Sequence, residues 1–572
     1  MAKENNNKSR SRNKTVKRSQ KYSRRIDDQE YSPKEREKAP ARNDAPWYAQ
    51  SEQLLRDAAS IPFAWMTGRL AQLGTLAGKY KIDDDDAYYN RSVAAMIPGV
   101  CALEIAPTLG HAEDVTDPAN VAATSIYSFV RYMNSGASNY EATDLMMYLM
   151  AMSQVYSAIN WAQRLYGMVT KYSQENKYMP RTLLLANGVS YDSMMNNLAN
   201  FRMGLNVIIN KAASMAVPNV MDIFQRYAFL YRDVYIEGMS IKDQLYMYVP
   251  KGFHKFVPTS GTTPGSLKFT PWTGSKSSES SAASYLDVLN YINDMLEPLI
   301  LDEDMNIMSG DIKKAYGDGN LITLTELGEN YSIDPKYTVE VLEQMHNATV
   351  AVLADNTLDI TQSTYSTGGD TRSYLVSNPS CRVGGHSWVG YYMSMSKILT
   401  TALPEPKPED VMVNSRLIAA YDRVPSETDM REFASIPVIC GSDVCTNVRL
   451  YKIRPLNPGV PTVYSVTNVS TESATVSGNK RTMTTNSGWG YILNVGMFHY
   501  APILPAFSVP GAPTGGGGAS VDDDSTGTLG VCGILGDIDN YAVIDINMLR
   551  KMHEVALLSL YNVPITQVAR AK

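Results

Sequence analysis

From Leu145 to Gln163 the chain carries no charged side chain, within a stretch of helical periodicity running from about Asn139 to Tyr172. A helix so long and apolar either crosses a bilayer or lies inside a large protein core. Ser153, Ser157, Asn160 and Arg164 decide between the two, because they recur at helical spacing as one polar stripe, with Gln154 and Gln163 adding polarity. A lipid-facing span does not usually carry such a stripe, so the pattern predicts a buried helix of a large bundle. Glu141 and Asp144 near its start, with Arg164 and Lys171 towards its end, suit the helix dipole.

The first 25 residues have the opposite character. Lys3, Lys8, Arg10, Arg12, Lys14, Lys17, Arg18, Lys21, Arg24 and Arg25 face a single acid, Glu4. Through Arg42 the surplus is about +8, and since the chain total is −6 the body is near −14. Too few apolar side chains interrupt the arm to offset the entropy of ordering it, so it reads as disordered on its own. A flexible cationic row binds a polyanion by releasing counterions, without reading base edges. These ten residues are therefore the candidate nucleic-acid contacts, with a solubilising tail or localisation signal as the plainer readings. No apolar core follows the charges, so the arm is not a secretory signal.

At 572 residues there is material for two or three domains. The 36 Tyr against 11 Phe, with 29 Met, fit either half-buried partner surfaces or compositional drift. Cys101, Cys381, Cys440, Cys445 and Cys532 are odd in number and scattered, which argues for a reducing compartment and no disulfide framework.

Residues 26–45 read as a mixed-charge linker, and 47–72 as short amphipathic helices broken at Pro62. Asp117-Pro118 opens a helix to about Tyr132, and helices are predicted at 182–214, 219–238, 284–300 and 336–349. The Ser-, Thr-, Gly- and Pro-rich run 257–283 reads as a loop or connection. Beyond 355 the stretches near 371–377, 446–454, 462–468, 473–477 and 490–500 read as strands. Gly515–Gly518 and Asp522–Asp524 mark an exposed loop, and an amphipathic helix closes the chain at about 545–561.

No catalytic signature is strong. Asp83–Asp86 lacks the spacing and Gly of a hard-cation loop, and Cys440–Cys445 has no second pair or nearby His for zinc. His386-Ser387 has no nucleophile elbow beside it, and His553 with Glu554 reads as a solvated helix face. No catalytic residue, metal ligand, cofactor or small-molecule substrate is assigned.

Two blocks carry a resemblance. RNDAPWYAQSEQLLRDAASIPFAWMTGR (Arg42–Arg69) is similar to the block after the basic arm in picobirnavirus capsid proteins, and MSGDIKKAYGDGNL (Met308–Leu321) resembles another block of that family. The resemblance implies a viral coat protein, not an enzyme, that assembles through dimers into an icosahedral shell around double-stranded RNA. It places the protein in the virion, and in the host cytoplasm during assembly. It also implies self-cleavage of an N-terminal peptide in some members, with no site identifiable here. The expected fold is mainly α (α+β overall). A disordered arm and linker would span 1–45, a helical shell domain 46–354, a strand-rich projecting region 355–500, and a loop and helix returning to the shell 501–572. A soluble nucleoprotein forming open assemblies is the alternative, and residues 47–72 leave a transient membrane contact during entry open.

Overall fold

The computed structural model describes residues 99–562, apart from 136–138, 176–178, 240–242, 262, 352, 384–397, 424–433, 455–462, 469–472, 478–479, 485–497, 503, 509–518, 523–529 and 536–539. The architecture is helix-rich α+β. Its centre is helix α2 (Ala142–Glu175), preceded by α1 (Pro118–Asn134). Around α2 pack α1, α3 (Met179–Ala186), α5 (Leu198–Ala212), α6 (Asp222–Phe229), α7 (Tyr285–Leu301) and α8 (Glu303–Tyr316).

The polar stripe of α2 is buried, and its groups reach neighbours. Asn160 Nδ2 donates to the Ala228 carbonyl at 2.9 Å and Gln163 Nε2 to that of Thr325 at 2.9 Å. Arg164 NH2 donates to Asn187 Oδ1 at 2.8 Å, an oxygen that also accepts from Trp161 Nε1. No helix among the described residues is long and apolar enough to cross a membrane.

The helix predicted over 182–214 is broken. It runs as α3, the single turn α4 (Tyr191–Met195) and α5. Gly188 has φ +74°, and a Cβ there would stand 2.4 Å from the Gly274 carbonyl oxygen. Only glycine combines that left-handed backbone with so close an approach. Ser190 then caps α4, its hydroxyl accepting from the Ser193 N–H.

The helix predicted over 219–238 ends at Phe229. Tyr235–Ile236 forms edge strand β2, because its β-prone side chains find a ladder partner in β3 (Leu245–Pro250). The 257–283 run is likewise more than a connection. Strand β5 (Ser266–Pro271) pairs with β4 (Gly252–Val257), burying Leu267 and Phe269 on either side of exposed Lys268.

The principal sheet has the order β13-β12-β1-β3-β2. Strand β1 (Val100–Pro107), buried at every residue, runs parallel to β3 and antiparallel to β12 (Asp443–Arg454), with a bulge between Glu104 and Ile105. Strand β13 (Val463–Asn468) extends the other side of β12. The ladder crosses the boundary expected at 355. Residues 443–454 lie in the same sheet as residues 100–107, since Val448, Leu450 and Tyr451 complete the main apolar cluster.

Further strand pairs follow: β6 (Thr361–Thr367) with β7 (Asp370–Val376), and β8 (Ser380–Val383) with β11 (Ala434–Ile439), which also takes β10 (Ala420–Tyr421). Strand β9 (Ile398–Thr401) pairs with β19 (Asn540–Val543). Between these last two in sequence, β14 (Ser473–Ser477), β15 (Lys480–Thr484) and β17 (Ala519–Asp522) form a small sheet, and β16 (Leu504–Ser508) pairs with β18 (Gly530–Leu535). Two shorter helices, α9 (Val339–His346) and α10 (Pro408–Asn414), flank β9. The closing helix α11 (Ile546–Leu560) packs on α1, α6 and β11, and Leu557 and Tyr561 join the main core.

Many tyrosines are core residues, not partner contacts. Tyr148, Tyr156, Tyr227, Tyr231 and Tyr451 are fully buried, and each hydroxyl donates to a backbone carbonyl: Ala216, Met215, Thr108, Ile105 and Lys276. A phenylalanine in those places would fill the volume and leave the carbonyl without that donor.

Candidate functional site

The ten basic arm residues, Asp83–Asp86, residues 47–72, His386 with Ser387, and Gly515–Gly518 lie outside the described residues, as does 490–497 of the strand expected at 490–500. Cys101, Cys381, Cys440 and Cys445 are free buried thiols, and burial raises the pKa of each. Among the described residues no group of three His, Cys, Asp or Glu side chains is placed to hold a metal.

His553 overturns its expected solvated setting. It is 5% exposed, and its Nε2 contacts the Ile418 carbonyl at 2.8 Å, while Glu554 beside it is exposed. Burial, then the charge of Arg416, brings its pKa down to about 4. Helical periodicity misplaced it because the last helix is contacted on more than one side.

Two buried ion clusters hold the sheet to its surroundings. In the first, Glu104 of β1 takes Lys276 Nζ and Arg449 NH1 on the same Oε2, both at 2.7 Å. Its Oε1 accepts from Thr446 Oγ1 at 3.2 Å, and Lys276 Nζ also donates to the Pro250 carbonyl at 2.6 Å. Burial alone would raise the Glu104 pKa, but the two cations outweigh it and bring it to about 2. Burial pulls Lys276 down to about 8 in spite of its acid partner. This cluster borders a cleft of about 320 Å³ lined also by Lys251, Trp272, Gly274, Ser275, Ser277 and Asp355.

In the second, Asp443, wholly buried at the start of β12, pairs through Oδ2 with Arg226 Nε of α6 at 2.5 Å and Arg416 Nε at 3.2 Å. Ser442 Oγ adds a donor at 3.1 Å. Here too burial would raise the carboxyl pKa, and the two guanidinium groups lower it.

Neither cluster was read from the sequence. The available signal was Glu104, the one charge in VCALEIAP, since an acid in a strand buried on both faces requires partners. On the outer surface, α1 presents Phe129, Tyr132 and Met133, and α5 presents Met203 and Val207; Tyr132 is 81% and Met203 72% exposed. Such large apolar side chains on a helical layer offer contact area to a partner.

Residues 47–424 match the family model described as picobirnavirus capsid protein. The helical layer and its sheet thus belong to a viral capsid protein, a structural component of the virion. A capsid protein precursor of human picobirnavirus is 26% identical over 545 residues, covering 91% of each chain. The X-ray structure of the picobirnavirus capsid superposes with a TM-score of 0.66 at 21% identity, covering 91% of this chain and 98% of that one. The chain belongs to the picobirnavirus capsid protein family.

Proposed function

We propose that the protein assembles with copies of itself, through dimers, into a closed icosahedral shell around double-stranded RNA, its basic arm reaching the RNA. The observation that carries the reading is family membership over most of the chain, joined to an arm of about +8 on a body near −14. Lys3, Lys8, Arg10, Arg12, Lys14, Lys17, Arg18, Lys21, Arg24 and Arg25 meet phosphates and 2′-hydroxyls, because double-stranded RNA hides its base edges in a deep, narrow groove. The body taken as a whole shares the sign of the genome, which leaves the arm as the main source of electrostatic attraction to it. Under this reading the helical layer around α2 forms the shell and parts of 355–500 project from it, rooted through β12. Assembly takes place in the host cytoplasm. The relative's description as a precursor supports removal of an N-terminal peptide during maturation.

The test is electron microscopy of the full chain beside a version starting at Asp44, with the ratio of absorbance at 260 and 280 nm for each. Uniform closed particles, rich in nucleic acid only with the arm, support the proposal. Open filaments, or small oligomers from both versions, overturn the shell reading in favour of a soluble nucleoprotein.

A further inference from the structure

We propose that the cleft bounded by Lys251, Arg449 and the Gly274–Ser277 loop is a binding site for a phosphate-class oxyanion, separate from the basic arm. Several observations converge on it. Its charged lining consists of Lys251, Lys276 and Arg449 against Glu104 and Asp355, a net +1 in a body whose overall balance is strongly negative. Glu104 is already satisfied, since one oxygen holds both Lys276 and Arg449 and the other accepts from Thr446. One carboxylate beneath two cations leaves positive potential directed at the cleft.

Arg449 spends one N–H on Glu104, and its guanidinium makes no other hydrogen bond or ion pair among the described residues, so the rest of its donor fork is available. A guanidinium fork is suited to two oxygens of one phosphate. Lys251 stands at the rim, its side chain 25% exposed, paired at 3.2 Å with an Asp355 that is itself 45% exposed. Such a surface pair contributes little and yields readily to a stronger anion.

The loop supplies the third wall. Gly274 lies so close to Gly188 that a Cβ on it would stand 2.1 Å from the Gly188 carbonyl oxygen, which fixes the position of the backbone. Ser275 donates its N–H to the Ser281 carbonyl, whereas the N–H groups of Gly274, Lys276 and Ser277 have no acceptor among the described residues. Successive free backbone N–H groups beside cations make an anion-binding concavity. Trp272 closes the floor, held by its Nε1 to the Asn187 carbonyl at 2.9 Å.

The phosphate comes either from free phosphate or from an RNA backbone, and hydrogen exchange of the 272–278 peptide in the full-length protein separates the two. The probes are inorganic phosphate and a short double-stranded oligoribonucleotide, each against sodium chloride at matched ionic strength. For exchange through an opening that releases the anion, occupancy slows the amides about tenfold at ten times Kd. Lys251→Ala, at a rim position whose backbone bonds are unchanged, removes the protection, and Lys251→Arg keeps it. Because the arm is intact in every variant, its own binding cancels. Protection by both probes identifies a backbone phosphate, and protection by inorganic phosphate alone identifies free phosphate. Exchange equal in phosphate and chloride, or protection undiminished in Lys251→Ala, overturns the site whether or not the protein forms shells.

Discussion

Acidification acts on the closing helix through His553. Its ring is buried against the Ile418 carbonyl, and the room beside Nδ1 is so tight that a Cβ on Gly441 would lie 3.0 Å from it. The folded state therefore holds the neutral imidazole, with a pKa near 4 against an ordinary 6.5. Between those values the unfolded chain binds the extra proton, so stability is present above about pH 6.5 and is lost as pH falls towards 4. The gap between those two values, at about 1.4 kcal/mol per pH unit, gives ~3 kcal/mol, most of it spent by pH ~4.5. The cleft around this histidine also holds His111, Asp117, Asp422, Arg550 and Glu554, and Arg416 bears on it from behind. Those groups are present in any variant, so the informative quantity is a difference. His553→Gln places an amide N–H near the position of Nε2 but takes up no proton. Urea unfolding of dispersed protein at about pH 7.5 and 4.5, followed by circular dichroism, should show the wild type losing ~2–3 kcal/mol more than His553→Gln. Equal losses in the two proteins would refute the assignment of a neutral, buried His553.

Glu104→Gln leaves Lys276 and Arg449 buried without their acid and should cost ~3–5 kcal/mol in urea unfolding at neutral pH; a cost below ~1 kcal/mol would mean the cluster is solvated. Replacing Glu104, Lys276 and Arg449 together by Met should recover most of that loss, because no charge is then left to desolvate, and the same unfolding curve reads it. Gly188→Ala meets both the left-handed backbone and the Gly274 oxygen, so a loss of more than ~2 kcal/mol or of soluble protein is expected; wild-type unfolding would show that the turn can move. Asp443→Asn should likewise cost ~3–5 kcal/mol, since Arg226 and Arg416 then face each other without an acid between them.

The features legible in the sequence were those written in local pattern. The α2 helix followed from its uncharged run and polar stripe, α1 from Asp117-Pro118, and the strands β7, β12 and β14 from runs of β-prone residues. What was missed is non-local. Gly188 breaks a helical pattern because of Gly274, nearly ninety residues on, and Tyr235 becomes a strand because β3 is there to pair with it. Leu267 and Phe269 show the alternation of a strand, hidden among turn formers. The ion clusters were least legible, because each member is unremarkable alone: Glu104 and Arg449 are 345 positions apart, and Arg226 and Asp443 are 217 apart.

The two clusters grip the same strand. Asp443 opens β12 and Arg449 lies six residues further along it, so helix α6 holds one point and β1 with the 274–277 loop holds the other. Apolar contacts alone fix this strand weakly against sliding along β1, which presents Val100, Cys101, Ala102, Leu103, Ile105 and Ala106, so that a slip by two residues exchanges one apolar contact for another. A charge does not tolerate that exchange: moved by two residues, Arg449 leaves Glu104, and Asp443 leaves both arginines. The bulge at Glu104–Ile105 sharpens the constraint, because it fits the antiparallel ladder at one place only. Buried charges are a poor source of net stability, so register is the better reason for keeping them. That reason has weight in a coat protein, where every copy must offer its neighbours the same surface. The triple Met replacement separates the two roles, because it should keep the unfolding free energy while yielding a less uniform population of particles.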